Sequence, residues 1–429
     1  MKTNNPYRTR AIVCDAEKLS QVAIIQELGR AGVPVIALSG MPAAIGFASR
    51  YVSQRIATPV PSYDPGYIHL LCSSVPRGVL FYSNDANTEN ISRHRERLAA
   101  AGFRLLISDI STLGRVIDKD RLYLTGLECR VSVPQCAFVS SLDEVTEKIR
   151  EYGLPAIVKA TNLAGGVYRL IDQAESAAGV LREMKEIVAS EDHRHRSARL
   201  MVQRWIPQDA TKLWNFNACV QGGEIVSFSM GERIRSDVYP DGRLGSILLF
   251  GRTMYNEHIH QLNARLLQHL RFDGIVETEW SEKITGTNET FLYDFNPRPS
   301  GNIRWSFKSG VALAVQYYRL ALGEAPERQS MRPGIAYAKV FYRWSDPVAA
   351  LSNSRITLAQ KLAVLRDDFA AVVRCRRHAV DILDIADPGP TVRATAELGR
   401  DLIHRFLRRI KRWSWNGIPF VPKLKHASR

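Results

Sequence analysis

The chain has no closely spaced pair of cysteines; Cys14, Cys72, Cys129, Cys136, Cys219 and Cys375 are scattered with no CxxC among them. This argues against a zinc site or a disulfide framework and suits a reducing compartment. No stretch reaches about 18 uninterrupted apolar residues, which speaks against a spanning helix. The polar opening MKTNNPYRTR reads as neither a secretory signal nor an anchor. Neither GKS/GKT nor HExxH occurs, so P-loop NTPase and zinc hydrolase readings fail. No GxGxxG follows the first strand-like run, so NAD and FAD are not expected. There is no internal repeat. Acidic residues are also in deficit, 43 Asp and Glu against 58 Lys and Arg, for a formal net charge of +15. Such an excess serves anionic ligands, and its concentration near the C-terminus suits a membrane surface or nucleic acid.

What is present is ordinary for a globular protein of two or three domains: 429 residues, 45% hydrophobic and 24% charged. AIVCDA from Ala11 reads as a buried strand, SQVAIIQELGRAG as a helix closed by Gly29 and Gly32, and VPVIAL as a second strand. That unit opens a doubly wound parallel sheet. GVLFYSND, Gly78 to Asp85, is another parallel strand, and ENISRHRERLAAAG reads as one basic amphipathic helix. Ligands of open α/β sheets gather at the carboxyl ends of strands, so Asn84 and Asp85 either face substrate or cap the next helix.

In LPAIVKATNLAGGVYRLID, two strands bracket a small-residue loop in which Gly165 and Gly166 let backbone N–H groups approach an anion. Lys159, at the end of the first strand, aims at the same place; lysine and glycine loop together suit phosphoryl transfer. From Gly274 to Asn302 the sequence GIVETEWSEKITGTNETFLYDFNPRPSGN predicts a β-hairpin with a long connection. Alternation puts Glu277 and Glu279 on one face of its first strand, and Asp294 and Asn296 on one face of its second. Carboxylates gathered on one sheet face repel, and a divalent cation removes that penalty; Mg²⁺ prefers such hard oxygen ligands shared with nucleotide phosphates. Arg298 adds a planar fork for phosphate or carboxylate oxygens.

Glu279 followed by DFNPRPSG, Asp294 to Gly301, resembles the metal-binding hairpin of the ATP-grasp superfamily, with Asp294 where Glu is more usual. The resemblance implies that Glu279, Asp294 and Asn296 hold magnesium and that Arg298 faces the transferred phosphoryl group or an acyl phosphate. It implies nucleotide contacts by Lys119 and Lys159, a lid at Gly165 and Gly166, and an adenine hinge at Gln203, Trp205 and Ile206. Arg233 and Arg235 either face phosphates or substrate, or are solvated. The segments Ser49 to Tyr51 and Ser83 to Leu98 are similar to the domain that precedes the nucleotide-binding part in many ATP-grasp ligases.

The expected fold class is therefore α/β: a Rossmann-like domain over 1–115, an ATP-grasp domain of two α+β subdomains over 116–325, and a mainly helical basic extension over 326–429. In that extension a DPGP break falls at Asp387 to Pro390, and a closing helix carries Leu402, Ile403, Phe406, Leu407, Ile410 and Trp413 on one face. That helix docks on the domain or lies on an anionic membrane. The expected activity is a cytoplasmic carboxylate–amine ligase that uses ATP and Mg²⁺, makes an acyl phosphate, acts on small molecules and binds no nucleic acid. A small-molecule kinase, or a non-catalytic protein peripheral to the inner face of a membrane, is the alternative on the same scaffold.

Overall fold

The computed structural model describes residues 9–160, 168–190, 199–206, 211–238, 244–283, 289–327, 329–338, 379–397 and 399–400, with a few isolated positions besides. Gly165, Gly166 and the closing helix expected over Leu402 to Trp413 lie outside them.

The first unit is a parallel sheet of order β3-β2-β1-β4. Its strands are β1 (Ala11–Val13), β2 (Val35–Ser39), β3 (Val52–Ala57) and β4 (Val79–Phe81), joined by α1 (Leu19–Arg30) and α2 (Pro65–Ser74). The strands read as unbroken apolar runs because they are covered on both faces: β1, β2 and β4 are buried at every position. After β4 come α3 (Asp85–Arg93) and α4 (Arg95–Ala100). The single helix expected here is thus two, divided at His94, whose φ of −113° leaves the helical range.

Next, α5 (Ile110–Ile117) and α6 (Lys119–Cys129) lead to a small antiparallel sheet of order β5-β8-β6-β7. It is built from β5 (Cys136–Val139), α7 (Leu142–Tyr152), β6 (Ala156–Ala160), β7 (Tyr168–Ile171), α8 (Ala177–Ser190) and β8 (Leu200–Arg204). Ser141 and Glu144 form a reciprocal cap that starts α7.

The third sheet has seven strands in the order β13-β12-β9-β10-β11-β14-β15. They are β9 (Thr211–Gln221), β10 (Glu224–Val238), β11 (Leu244–Thr253), β12 (Gly274–Lys283), β13 (Thr290–Asn296), β14 (Ala336–Ala338) and β15 (Ala379–Val380). Alternation splits β9 and β12 into two faces. Trp214, Phe216, Ala218, Val276 and Trp280 pack with Leu266 and Leu267 of α9 (Glu257–Leu270). On the other face Cys219 and Ile275 join the core of the first sheet, and the positions beyond them toward β13 are polar.

After β13 the run RWSFKSGVALAVQYYRLALGE, Arg304 to Glu324, reads as a single helix but forms two. α10 (Ile303–Lys308) and α11 (Leu313–Ala321) are separated at Gly310, which turns left-handed with φ +99°. Beyond residue 325, β14 and β15 extend the large sheet, so this part contributes strands as well as a helix at 388–397. DPGP starts that helix rather than breaking one, with Pro388 at its first position, where a missing N–H costs nothing.

Glu27 on α1 is buried and accepts the N–H groups of Ala314 and Val315 at 2.7 and 3.0 Å, capping α11. Burial pushes its pKa up to about 8, against the opposing pull of those N–H groups and of Arg30 and Arg304. Between an unfolded value near 4.3 and that folded value, the native chain keeps a proton that the unfolded chain has released. The contribution of Glu27 to stability is therefore full below about pH 4.3 and declines as pH rises toward 8. Urea unfolding at pH 5 and pH 8 is expected to show a smaller decline in Glu27→Gln than in the wild type, the remainder coming from groups such as Glu277. A decline in the variant as large as the wild type's would overturn the assignment.

Candidate active site on the large sheet

The register of β12 with β13 sets Glu279 opposite Asp294 and Glu277 opposite Asn296. On the other side, β9 sets Asn215 opposite Glu279 and Asn217 opposite Glu277. Two adjacent rows of polar side chains thus cross three strands on one face. Cross-strand neighbours at this spacing sit about 4.5–5.5 Å apart at Cβ, close enough to share a ligand.

Glu277 lies at the bottom, 5% exposed. It accepts N–H bonds from Asn215 at 3.1 Å, Asn296 at 3.3 Å and Asn302 at 2.9 Å. Burial, and next the charge of Glu279, push its pKa up to about 7, while Arg298 and Arg233 act in the opposite sense. The amides are themselves tied in: Ser300 donates to Asn217 at 2.7 Å and also to Asn302. Glu277 therefore acts as the anchor of an amide shell.

The outer row carries charge. Glu279 accepts from the buried Arg233 at 2.8 Å, and Arg233 also donates to Asn215 at 3.3 Å. Asp294 accepts from Lys119, at the start of α6, and from Asn296 at 3.2 Å. Burial would raise the Asp294 pKa, but Lys119, then Lys159 and Arg298, outweigh it and hold the group below the usual carboxylate range. Arg298 donates to Asn296 Oδ1 at 3.0 Å and to Asp85 at 3.0 Å. That second bond brings the carboxyl end of β4 to the large sheet. Asn84 caps α3 by accepting from Asn87 at 2.9 Å, and Asp85 pairs with Arg298.

From the small sheet, Lys159 on β6 donates to Gln203 on β8. Burial, and then the Lys119 charge, lower the Lys159 pKa to about 8. The two lysines and Asp294 therefore sense one another, which joins the small sheet and the hairpin electrostatically. Ile206 is buried at the end of β8 and Trp205 is half-buried beside it.

Among the described residues no cluster of three or more His, Cys, Asp or Glu side chains is placed to hold a metal ion. The donor set is instead two carboxylates and an amide: Glu279, Asp294 and Asn296, all hard oxygen donors on one face. They fit magnesium by chemistry. Their present partners Arg233 and Lys119 carry the compensating charge. Sequence reasoning singled out the hairpin but not Asn215, Asn217, Asn302 or Ser300; the signal was there in LWNFNACV, where two amides alternate within an apolar strand. Arg233 is buried and ion-paired, not solvated, whereas the side chain of Arg235 lies outside the described residues.

No protein-family model matches the chain. Over 259 residues it is 23% identical to the carbamoyl phosphate synthase large chain of Vibrio parahaemolyticus, covering 59% of this chain and 23% of that protein. The match to the Vibrio cholerae protein is 22% identical over the same length. The chain thus spans less than a quarter of the curated relatives it matches. Among solved structures, N5-carboxyaminoimidazole synthetase from Staphylococcus aureus superposes with a TM-score of 0.60 at 12% identity, covering 78% of this chain and 83% of that one. Biotin carboxylase from Campylobacter jejuni, solved as a β,γ-ATP complex, gives 0.58 at 13% identity over 77% and 74%. The biotin carboxylase domain of the Hydrogenobacter thermophilus 2-oxoglutarate carboxylase, solved with MgADP and bicarbonate, gives 0.59 at 14% over 77% and 74%. The fold of the chain is the ATP-grasp fold.

Proposed function

We propose that this protein is an ATP-dependent ligase that activates a carboxylic acid as its acyl phosphate and transfers the acyl group to an amine, releasing ADP and phosphate. The observation that carries the reading is the hairpin register, which faces Glu279 with Asp294 beside Asn296, within reach of Lys119 and Arg298. Solved neighbours in complex with ADP, or with MgADP and bicarbonate, support it. So does the match to a carbamoyl phosphate synthase.

A carboxylate resists nucleophiles because its own charge repels them, so phosphorylation supplies the leaving group and no serine or cysteine nucleophile is needed. Lys119 and Lys159 neutralise the phosphates; at neutral pH a lysine of pKa about 8 is still mostly charged. Arg298 stabilises negative charge on the group in transfer, in the manner of a fixed fork. Glu279, Asp294 and Asn296 would hold magnesium, which when bound neutralises charge on the terminal phosphates. Gln203, Trp205 and Ile206 border the adenine. Asp85 and the carboxyl ends of β1 and β4 face the small-molecule acid or amine. In this reading residues 1–115, 116–325 and 326–429 are the Rossmann-like, ATP-grasp and basic C-terminal parts, the last completing the large sheet through β14 and β15. No helix among the described residues is long and apolar enough to cross a membrane.

The test is to incubate the full chain with Mg·ATP, hydroxylamine and a panel of carboxylic acids including bicarbonate. The expected result is acid-dependent release of ADP and phosphate, with an activated acid trapped as its hydroxamate. AMP and pyrophosphate would overturn the acyl-phosphate route. A stable phosphorylated product without phosphate release would establish the kinase instead.

A further inference from the structure

The first sheet has a second functional-looking end. At the amino ends of β1 and β4, opposite the end that carries Asp85, a cavity of about 440 Å³ is lined by Arg10, Arg77 and Arg104, by Gly78 and Gly102, and at its rim by Thr9 and Leu322. Among the described residues no acidic side chain lines it. That volume falls within the usual range of small-molecule sites.

The backbone builds this arrangement. Val79 N–H donates to Arg10 O at 2.8 Å, and Arg104 N–H donates to Gly78 O at 2.9 Å, so the two arginines flank the start of β4 on either side. Adjacent strands run about 4.8 Å apart, which spaces the two arginine backbones by roughly 10 Å across Gly78. A Cβ at Gly78 would meet Arg10 O at 2.2 Å, so that lane stays without a side chain. Gly102 is left-handed, with φ +94°.

Charge and rigidity add to the shape. Arg77 stacks over Phe103 at 5.0 Å and is fixed by donating to the carbonyls of Leu71, Cys72 and Val75 at 3.1, 2.6 and 2.6 Å. Those carbonyls close α2, and bonds from one edge of the guanidinium to them leave its Nε–H available. Arg10 and Arg104 are exposed and have no carboxylate partner among the described residues. From the later chain the cavity is lined by Leu322, the residue after α11, and the Tyr318 hydroxyl of α11 donates to Thr9 O at 2.7 Å. The cavity therefore lies at a seam between two units, where ligand sites concentrate.

We propose that this cavity is a second anion site, separate from the candidate active site, that takes a small molecule carrying at least two phosphate or carboxylate groups. Its planar donors suit either group, and two arginines spaced across an empty lane suit a ligand with two anionic centres rather than one. This assignment stands independently of the reaction proposed above.

The test is calorimetric titration of the full chain with inorganic pyrophosphate and, separately, citrate, in the presence of saturating MgADP. Expected is one further site per chain for at least one of the two, weakened by about tenfold or more in Arg10→Gln/Arg104→Gln. The two arms show which chemistry is preferred. Both substitutions are at exposed positions, and unchanged MgADP affinity in the double variant checks that it folds. If MgADP itself does not bind, Lys159→Ala replaces it as the control, and pyrophosphate or citrate binding is expected to persist in that variant. Equal binding by the double variant, abolished binding in Lys159→Ala, or no binding by the wild type overturns the proposal.

Discussion

Asp294→Ala is expected to lower magnesium-dependent ATP turnover by on the order of a thousandfold, equivalent to ~4 kcal/mol of lost transition-state stabilisation. The size follows from position. Asp294 accepts from Lys119 and from Asn296, lies opposite Glu279, and feels Lys159 and Arg298, so one carboxylate organises both the lysines and the proposed metal donors. Stability should hardly change, because the side chain is 34% exposed and its ion pair is correspondingly weak. Asp294→Asn keeps the shape and removes the charge, so the two variants together separate donor chemistry from packing. Acid-dependent ADP release and hydroxamate yield, measured beside a urea unfolding curve, check it. Near-normal turnover in Asp294→Ala would remove the hairpin from the mechanism.

The second large effect concerns stability. Asp384→Ala is expected to lower unfolding free energy by ~3–5 kcal/mol, since it strands a buried arginine. Arg304 and Asp384 both have side chains only 2% exposed, and they meet at 3.3 Å. Asp384 also accepts from Arg30 of α1, and Arg304 from α10 donates to Gln26 of α1. Nearby, Asp387 accepts from Gln26 at 2.8 Å, from Ser49 at 2.6 Å and from Arg50 N–H at 2.8 Å. Residues of the first unit, the helix after the hairpin and the late chain thus meet in one buried network. Replacing both partners by apolar residues, Arg304→Met with Asp384→Leu, should recover much of the loss, because the cost comes from the charge left alone. Denaturant unfolding of both variants measures this. A loss below about 1 kcal/mol in Asp384→Ala would mean that the Gln26 side-chain oxygen and entering water already satisfy Arg304.

The hairpin was legible because its information is local: a two-residue period fixes which side chains share a face, and Glu279 does lie opposite Asp294. The first sheet was legible for the same reason, from short apolar runs broken by glycine. Contacts between distant parts of the chain leave no such trace. Asp384 and Asp387 stand in a turn-rich stretch with no local mark of burial, yet they are 3% and 0% exposed because partners from α1 and α10 reach this stretch. The helix divisions at His94 and Gly310 were missed because apolar spacing continues across both. Asn215 and Asn217 were passed over as polar residues in a strand, since an amide announces its role only when its neighbour across the sheet is a buried acid.

The alternating faces of β12 also constrain how this protein can change length. Deleting one residue between Ile275 and Glu279 would invert the parity of the rest of the strand, turning the acids toward α9 and Trp280 toward the polar face. Removing two restores the parity and merely slides the pattern along the ribbon. Variants with even-numbered indels in this strand should therefore retain solubility far more often than odd ones, a regularity that a deletion scan would reveal without any assay of catalysis.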